Sequence, residues 1–273
     1  MFRLSQTQLN LLTTCPRKFQ HTYLEQLATP ISPEHQEKLA WGSRFHLLMQ
    51  QRELGLPIES IVKEDPEMAH CLTTFMNASP ELFAPLNNHT QIFRQAEHTR
   101  TLTFQNYLLT VIYDLLIAEP KQAQIFDWKT YPLPQNSQWL AQHWQTRLYR
   151  YVLVETSHYL PEQVSMTYWF VQSHEGNVPK SLKFPYDRTQ HQQTEADLTN
   201  LLTQLTAWLK NYQKKGEPFP LKSPINSGHC DICQFTTRCH FNDQIEGVFL
   251  VESEANNSSN FVPDLATIEE VSI

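Results

Sequence analysis

Between Val111 and Lys129 the chain sets two acids and a lysine into runs that otherwise read as interior β-strand. The first run is Val111-Ile112-Tyr113-Asp114-Leu115-Leu116-Ile117 and the second is Ile125-Phe126-Asp127-Trp128-Lys129. Strands this apolar are built to be buried, and an ionised group buried in one is costly unless it is paired. The polar interval at Glu119, Pro120 and Lys121 turns the two runs into a hairpin. A side-chain period of two puts Asp127 and Lys129 on one face of the second strand and Trp128 on the other. Antiparallel pairing brings Asp114 beside Asp127. Two carboxylates held together repel unless a cation lies between them, and hard oxygen ligands of this kind suit Mg²⁺ or Mn²⁺. Lys129 then supplies positive charge where a phosphate or an activated water would sit.

A structural ion pair is the competing reading. Asp-x-Lys is short enough to occur about once by chance in a chain of this length, given average charged-residue usage. Glu119-Pro120-Lys121 fits Glu-x-Lys equally well, but it falls in the turn and Pro120 is incompatible with a central strand. Residue types alone therefore leave both readings of Asp127 and Lys129 open.

The surrounding elements form one mixed α/β order. A helix from Ser5 through Leu27 is followed by a break at Thr29 to Pro33 and a helix from Glu34 to Leu54. Another helix covers Pro66 to Asn77, and Pro80 and Pro85 mark a loop. Three strands run between Gln91 and Lys129, and a helix follows from Trp139 to Thr156. Val164 to Gln172 and Lys180 to Tyr186 read as strands around a turn at Glu175 to Asn177. Leu198, Leu201, Leu202, Leu205, Trp208 and Leu209 form a helical apolar stripe. No internal repeat and no long linker appears.

Four segments then occur in a telling order: Trp41-Gly42-Ser43-Arg44-Phe45-His46, Val111-Ile112-Tyr113-Asp114, Ile125-Phe126-Asp127-Trp128-Lys129-Thr130 and Gln145-Thr146-Arg147-Leu148-Tyr149. This succession resembles the PD-(D/E)XK nucleases of the RecB and Cas4 type. Their pattern is a helical Gly-x-x-x-His, a strand Gly-x-Ile-Asp, a strand Asp-x-Lys and a helical Gln-x-x-x-Tyr. The match spans most of residues 1 to 241 and departs at Thr110 to Tyr113, where the family often carries a glycine. The resemblance implies a restriction-endonuclease-like α/β fold: a mixed central sheet flanked by helices, with an N-terminal helical segment and a C-terminal cysteine cluster. It also implies that Asp114, Asp127 and Lys129 are catalytic. His46, Asp114 and Asp127 would hold the divalent cation, with the Trp128 carbonyl as a further ligand.

Gln145 and Tyr149 stand at i and i+4 and share a helix face. Without the pattern they read as an ordinary polar and aromatic pair; by resemblance they contact nucleic acid. Glu97, in the strand-like Gln91 to Thr99, is within sequence reach of the same site, and a structural placement serves it equally well.

The five cysteines are a second signal. Cys230-Asp231-Ile232-Cys233, followed by Cys239, has metal-ligand spacing, and Cys15 stands alone in Thr14-Cys15-Pro16-Arg17-Lys18-Phe19. No signal peptide is evident, so a reducing, cytoplasmic setting is expected, where ligation is favoured over disulfides. Four thiolates hold either zinc or an iron-sulfur cluster. The one-plus-three arrangement resembles the iron-sulfur subset of these nucleases, which implies a [4Fe-4S] cluster on Cys15, Cys230, Cys233 and Cys239. The alternative is Zn²⁺, for which His229 and His240 stand close by. Cys71, in a helix-like segment, is expected to be a buried free thiol.

The net charge of -7 bears on partners only after it is mapped. Residues 242–273 hold seven acids and no lysine or arginine, so the remaining 21 acids balance the 21 bases. Residues 1–241 are thus a neutral body, expected as one nuclease domain closed by the cysteine site, and 242–273 an acidic, disordered tail. Phosphate binding depends on local clusters, for which Arg17, Lys18, Arg44, Arg147 and Arg150 are the candidates. No run has the length of a membrane span, and no phosphate loop is present, so any helicase would be a separate chain.

The resemblance implies metal-dependent hydrolysis of DNA, single-stranded or at ends, in repair or recombination. A Cas4-type CRISPR-adaptation nuclease is the close alternative. A non-catalytic nucleic-acid-binding protein and a zinc-binding interaction protein are the rivals from other classes.

Overall fold

The computed structural model describes residues 1–27, 32–83, 92–171, 178–221, 230 and 233–239. The turn at Glu175 to Asn177, Pro85, His229, His240 and the acidic tail lie outside the described residues.

In chain order the elements are β1 (Phe2–Leu4), α1 (Gln6–Thr14), α2 (Pro16–Phe19), a π-helical turn Gln20–Leu24, α3 (Pro33–Glu53), α4 (Glu59–Glu64), α5 (Pro66–Ala78) and α6 (Pro80–Phe83). There follow β2 (Phe93–Phe104), β3 (Tyr107–Glu119), β4 (Gln122–Lys129), α7 (Trp144–Glu155), β5 (Val164–Phe170), β6 (Lys180–Pro185) and α8 (Arg188–Lys215). The chain divides into two compact units. Among the described residues, one lies within 1–6 and 32–203 and the other within 7–27 and 204–239.

The first unit is a mixed six-stranded sheet with helices on both faces, which is the expected restriction-endonuclease-like α/β class. Antiparallel β2 lies along the whole of β3 from Phe104↔Tyr107 to Phe93↔Ala118. Two strands therefore divide the other edge of β3. Parallel β1 takes Tyr107 to Leu109, and antiparallel β4 takes Leu115 to Glu119. Thr110 to Asp114 lie between them. β4 continues the sheet by pairing parallel to β5, in register Asp127↔Tyr168, and β5 pairs antiparallel to β6.

Neighbouring residues of β4 show the two faces. Phe126 and Trp128 enter a core with Phe45, Leu48 and Met49 of α3 and Met68, Leu72 and Phe75 of α5. Asp127 points the other way, to Gln145 of α7. Cys71 is buried in the α3–α5 core, where it donates to the Val171 carbonyl at 3.2 Å, and burial pushes its pKa up to about 12. Such a thiol is inert at neutral pH.

Three expectations change. The first helix does not run unbroken to Leu27. Cys15 is extended (φ -155, ψ 103) and caps a new helix that starts at Pro16, because the residue before a proline is driven out of the helical region. Pro80 does not open a loop but heads α6, since a proline at the first helical position loses only an N–H that had no partner. The segment read as a stripe from Leu198 belongs to a 28-residue helix that begins at Arg188, where the Asp187 carboxylate accepts the Gln190 N–H at 2.8 Å.

Candidate active site

The site forms where β3 and β4 part. Their pairing stops at Leu115↔Phe126, one residue short of the acids, and the same register would set Asp114 opposite Asp127. In place of a ladder bond, the Asp114 Oδ2 accepts the Trp128 N–H at 2.6 Å. On the other edge, Ala96↔Leu115 and His98↔Tyr113 leave Glu97 across from Asp114, and Glu97 has φ +48. The alternation of β3 changes phase here. Tyr113 stacks edge-on to Tyr149 of α7, whereas Leu115, two residues on, packs in the α3–α5 core. A distortion on both strands is what frees two carboxylates from the sheet pattern.

α3 brings His46 to this break. Its Nδ1 lies 3.4 Å from Asp114 Oδ1 and its Nε2 is 3.0 Å from the Trp128 carbonyl. Gly42, one turn earlier, allows the approach: a Cβ there would stand 2.9 Å from the Thr130 Oγ1. One ligand atom each from His46, Glu97 and Asp114 lie within 4.8 Å of one another, a grouping able to hold a cation.

The electrostatics agree with that crowding. Burial would lower the His46 pKa, but Asp114, with Asp127 and Glu97 behind it, outweighs burial and lifts it to about 9. Burial, then the Asp114 charge, raises Glu97 to about 7 against the pull of His46. His46 is thus the group on which the charges of Asp114, Asp127 and Glu97 act together.

Beside the pocket lies a buried polar network. Lys129 Nζ is 2.9 Å from Asp127 Oδ1 and donates to Gln145 Oε1 at 2.8 Å. The Gln145 Nε2 donates to Asp127 Oδ2 at 2.7 Å, and Tyr168 donates to Gln145 Oε1 at 3.1 Å. Thr146 bonds the Tyr168 hydroxyl at 2.7 Å, and the ammonium stands 5.0 Å from the Tyr168 ring centroid. Asp127, Lys129 and Gln145 are all buried. Such a closed network holds the lysine in one place.

Of the residues singled out in the sequence, His46, Asp114, Asp127 and Lys129 meet at this sheet edge. Gln145 is drawn into the network, and Tyr149 is buried with its carbonyl accepting from Tyr113 at 3.0 Å. Glu97 belongs to the pocket more closely than its sequence context indicated. Tyr168 was not singled out, and nothing short of the β4–β5 register identifies it. Three of the five basic candidates have partners elsewhere: Arg150 is buried against the Thr146 and Pro185 carbonyls, Arg147 pairs with Asp197, and Arg44 with Asp65.

The second unit holds Cys15, Cys230, Cys233 and Cys239. Burial, with the neighbouring Cys233, Cys15 and Cys230 and against the opposing pull of Arg17, pushes the Cys239 thiol up to about 11. Thr236 ties the turn, its hydroxyl donating to the carbonyls of Cys230 and Cys233.

A mixed sheet flanked by helices, with acids, a histidine and a lysine gathered where two strands diverge, is the layout of a restriction-endonuclease-like α/β protein. The chain belongs to the PD-(D/E)XK nuclease superfamily, whose family model matches residues 3–240. A putative exonuclease from Eubacterium rectale shares the fold at a TM-score of 0.52 and 10% identity, over 93% of this chain and 91% of that one. The structure of SSO0001 is a looser likeness, with TM-score 0.40 and 13% identity over 88% of this chain and 86% of that one. Among curated proteins no significant sequence match was found.

Proposed function

We propose that this chain is a Mg²⁺- or Mn²⁺-dependent nuclease that hydrolyses phosphodiester bonds in DNA, single-stranded or at ends. In this reading it is a RecB- or Cas4-like member of its superfamily, acting in repair or recombination. The observation that carries it is the meeting of the His46, Glu97 and Asp114 pocket with the Asp127, Lys129 and Gln145 network at one sheet edge.

The donor set fits a hard divalent cation. Two carboxylates, Glu97 and Asp114, group with the His46 imidazole, and the charge of Asp127 acts on the same ring, so the set favours positive charge. His46, Asp114 and Asp127 would hold the ion, with Glu97 as a further carboxylate and the Trp128 carbonyl beside them. His46 must release its proton before its nitrogen can ligate. A bound ion of this kind lowers the pKa of a coordinated water and offsets charge on a phosphate oxygen. Lys129, fixed by Asp127 and Gln145, keeps a positive charge where the phosphate charge develops. Tyr168 and Thr146 hold Gln145 in turn.

In the same reading Cys15, Cys230, Cys233 and Cys239 hold a [4Fe-4S] cluster, Zn²⁺ being the alternative. The spacing of Cys230, Cys233 and Cys239, and the presence of Cys15 in the same compact unit, support a four-ligand centre.

Labelled single-stranded DNA with Mn²⁺ or Mg²⁺ tests the catalytic reading. Lys129→Ala and Asp127→Ala chains that retain native circular dichroism are expected to cut at least roughly 100-fold more slowly than the parent. Cutting at the parental rate by either variant overturns the assignment.

A further inference from the structure

His21 is 1% exposed and no step of the nuclease reading uses it. Its Nε2 lies 3.8 Å from the Cys239 Sγ, and its Nδ1 lies 2.7 Å from Glu25 Oε2. Phe235 closes over the ring at 5.1 Å between centroids. All these residues belong to the second unit.

Glu25 is not left to chance either. Gln20 Nε2 donates to its Oε1 at 2.6 Å, Tyr212 donates to the same oxygen at 3.4 Å, and Arg238 stands 3.6 Å from Oε2. These contacts fix the carboxylate, the carboxylate fixes the imidazole, and the imidazole faces sulfur. If the ring served packing alone, Phe235 would be best matched by an apolar neighbour, and a buried imidazole held by a carboxylate would add only desolvation cost.

Arg17 is a second buried polar group of this unit. Arg17 is 6% exposed, its Nε donates to the Phe219 carbonyl at 2.6 Å, and its buried Nη1 has no hydrogen-bond partner among the described residues. Its charge acts on Cys239 in the direction that favours thiolate.

We infer that His21, held by Glu25, is the hydrogen-bond donor to the Cys239 sulfur and, with the Arg17 guanidinium, sets the reduction potential of the cluster. The inference rests on the reading of the four thiols as cluster ligands. The ring stands between the Cys239 sulfur and the Glu25 carboxylate. An N–H directed at a cluster thiolate draws electron density from the sulfur, which favours the reduced cluster and slows loss of the ligand. His21 is a positioning and tuning residue here, distinct from the nuclease residues.

The test uses the full chain purified anaerobically, comparing the parent with His21→Phe, which keeps bulk and removes the donor, and His21→Gln, which restores an N–H. Iron and sulfide content, reductive titration followed by electron paramagnetic resonance, and bleaching in air are the readouts. The expected result is a lower midpoint potential and faster bleaching in His21→Phe, with His21→Gln between it and the parent. A His21→Phe chain with native circular dichroism that holds less iron than His21→Gln also supports the role. Equal iron, equal potential and equal lifetime in parent and His21→Phe overturn it. A parent chain carrying one zinc and no sulfide overturns the underlying cluster reading instead, before the variants are compared.

Discussion

Asp114 does two jobs with two oxygens. Oδ2 accepts the Trp128 N–H that leaves the β3–β4 ladder, and Oδ1 faces His46. The two jobs can be separated by substitution. Asp114→Asn keeps an acceptor for the N–H and gives up the charge, whereas Asp114→Ala leaves that buried donor unsatisfied, at a cost of about 1–3 kcal/mol. The expected outcome is loss of nuclease activity in both, with urea unfolding showing the larger loss of stability in Asp114→Ala. Equal stability of the two variants would show that the Trp128 bond does not support the strand. The pattern Asp127-x-Lys129 was legible from its period of two, and the side chains do lie 2.9 Å apart. Tyr168 was not legible, because its hydroxyl reaches Gln145 only through pairing of strands about forty residues apart in sequence.

At the scale of elements, α3 is positioned by an absence. Gly42 meets Thr130 closely, and the helix delivers His46 one turn later. Gly42→Ala gains helix propensity but pushes a methyl into the Thr130 hydroxyl, and crowding of this kind costs about 1–3 kcal/mol. The expected result is lower stability and weaker Mn²⁺ binding by calorimetry, both partly restored when Thr130→Ala is added. A Gly42→Ala chain that binds Mn²⁺ as the parent does would show that the approach is not needed. Helix and strand runs were readable from periodicity because apolar faces repeat. Of their breaks, the one at Cys15 is written locally in Pro16, whereas Glu97 takes φ +48 only under the combined demands of β2 and β3.

At the scale of the whole molecule, the acidic pocket ties stability to pH. The folded-state pKa of His46 is raised from 6.5 to about 9, so its contribution is fully present below about pH 6.5 and is lost as pH rises through 9. Glu97 is raised from 4.5 to about 7, so the folded state without a cation also loses stability as pH rises over that interval. Both signs agree, and a divalent cation opposes both by replacing the proton. The increase in melting temperature produced by Mn²⁺ is therefore expected to grow from pH 5 to pH 9, as read by differential scanning fluorimetry. A shift that stays constant or shrinks across that range would remove His46 and Glu97 from the ligand set. No described helix is long and apolar enough to cross a membrane.

The sequence by itself determined the order of helices and strands and which strands bear the acids, because periodicity is a local property, whereas the fold class followed from the resemblance that the ordered motifs carry. Only the tertiary structure decided how the site is wired. It broke the β3–β4 ladder one residue before the acids, turned Glu97 into the pocket, and enclosed Gln145 between Lys129 and Asp127. It also tied four of the five basic candidates to partners within the fold and set His21 against Cys239. These are contacts between residues far apart in sequence, fixed by register and packing rather than by any local preference.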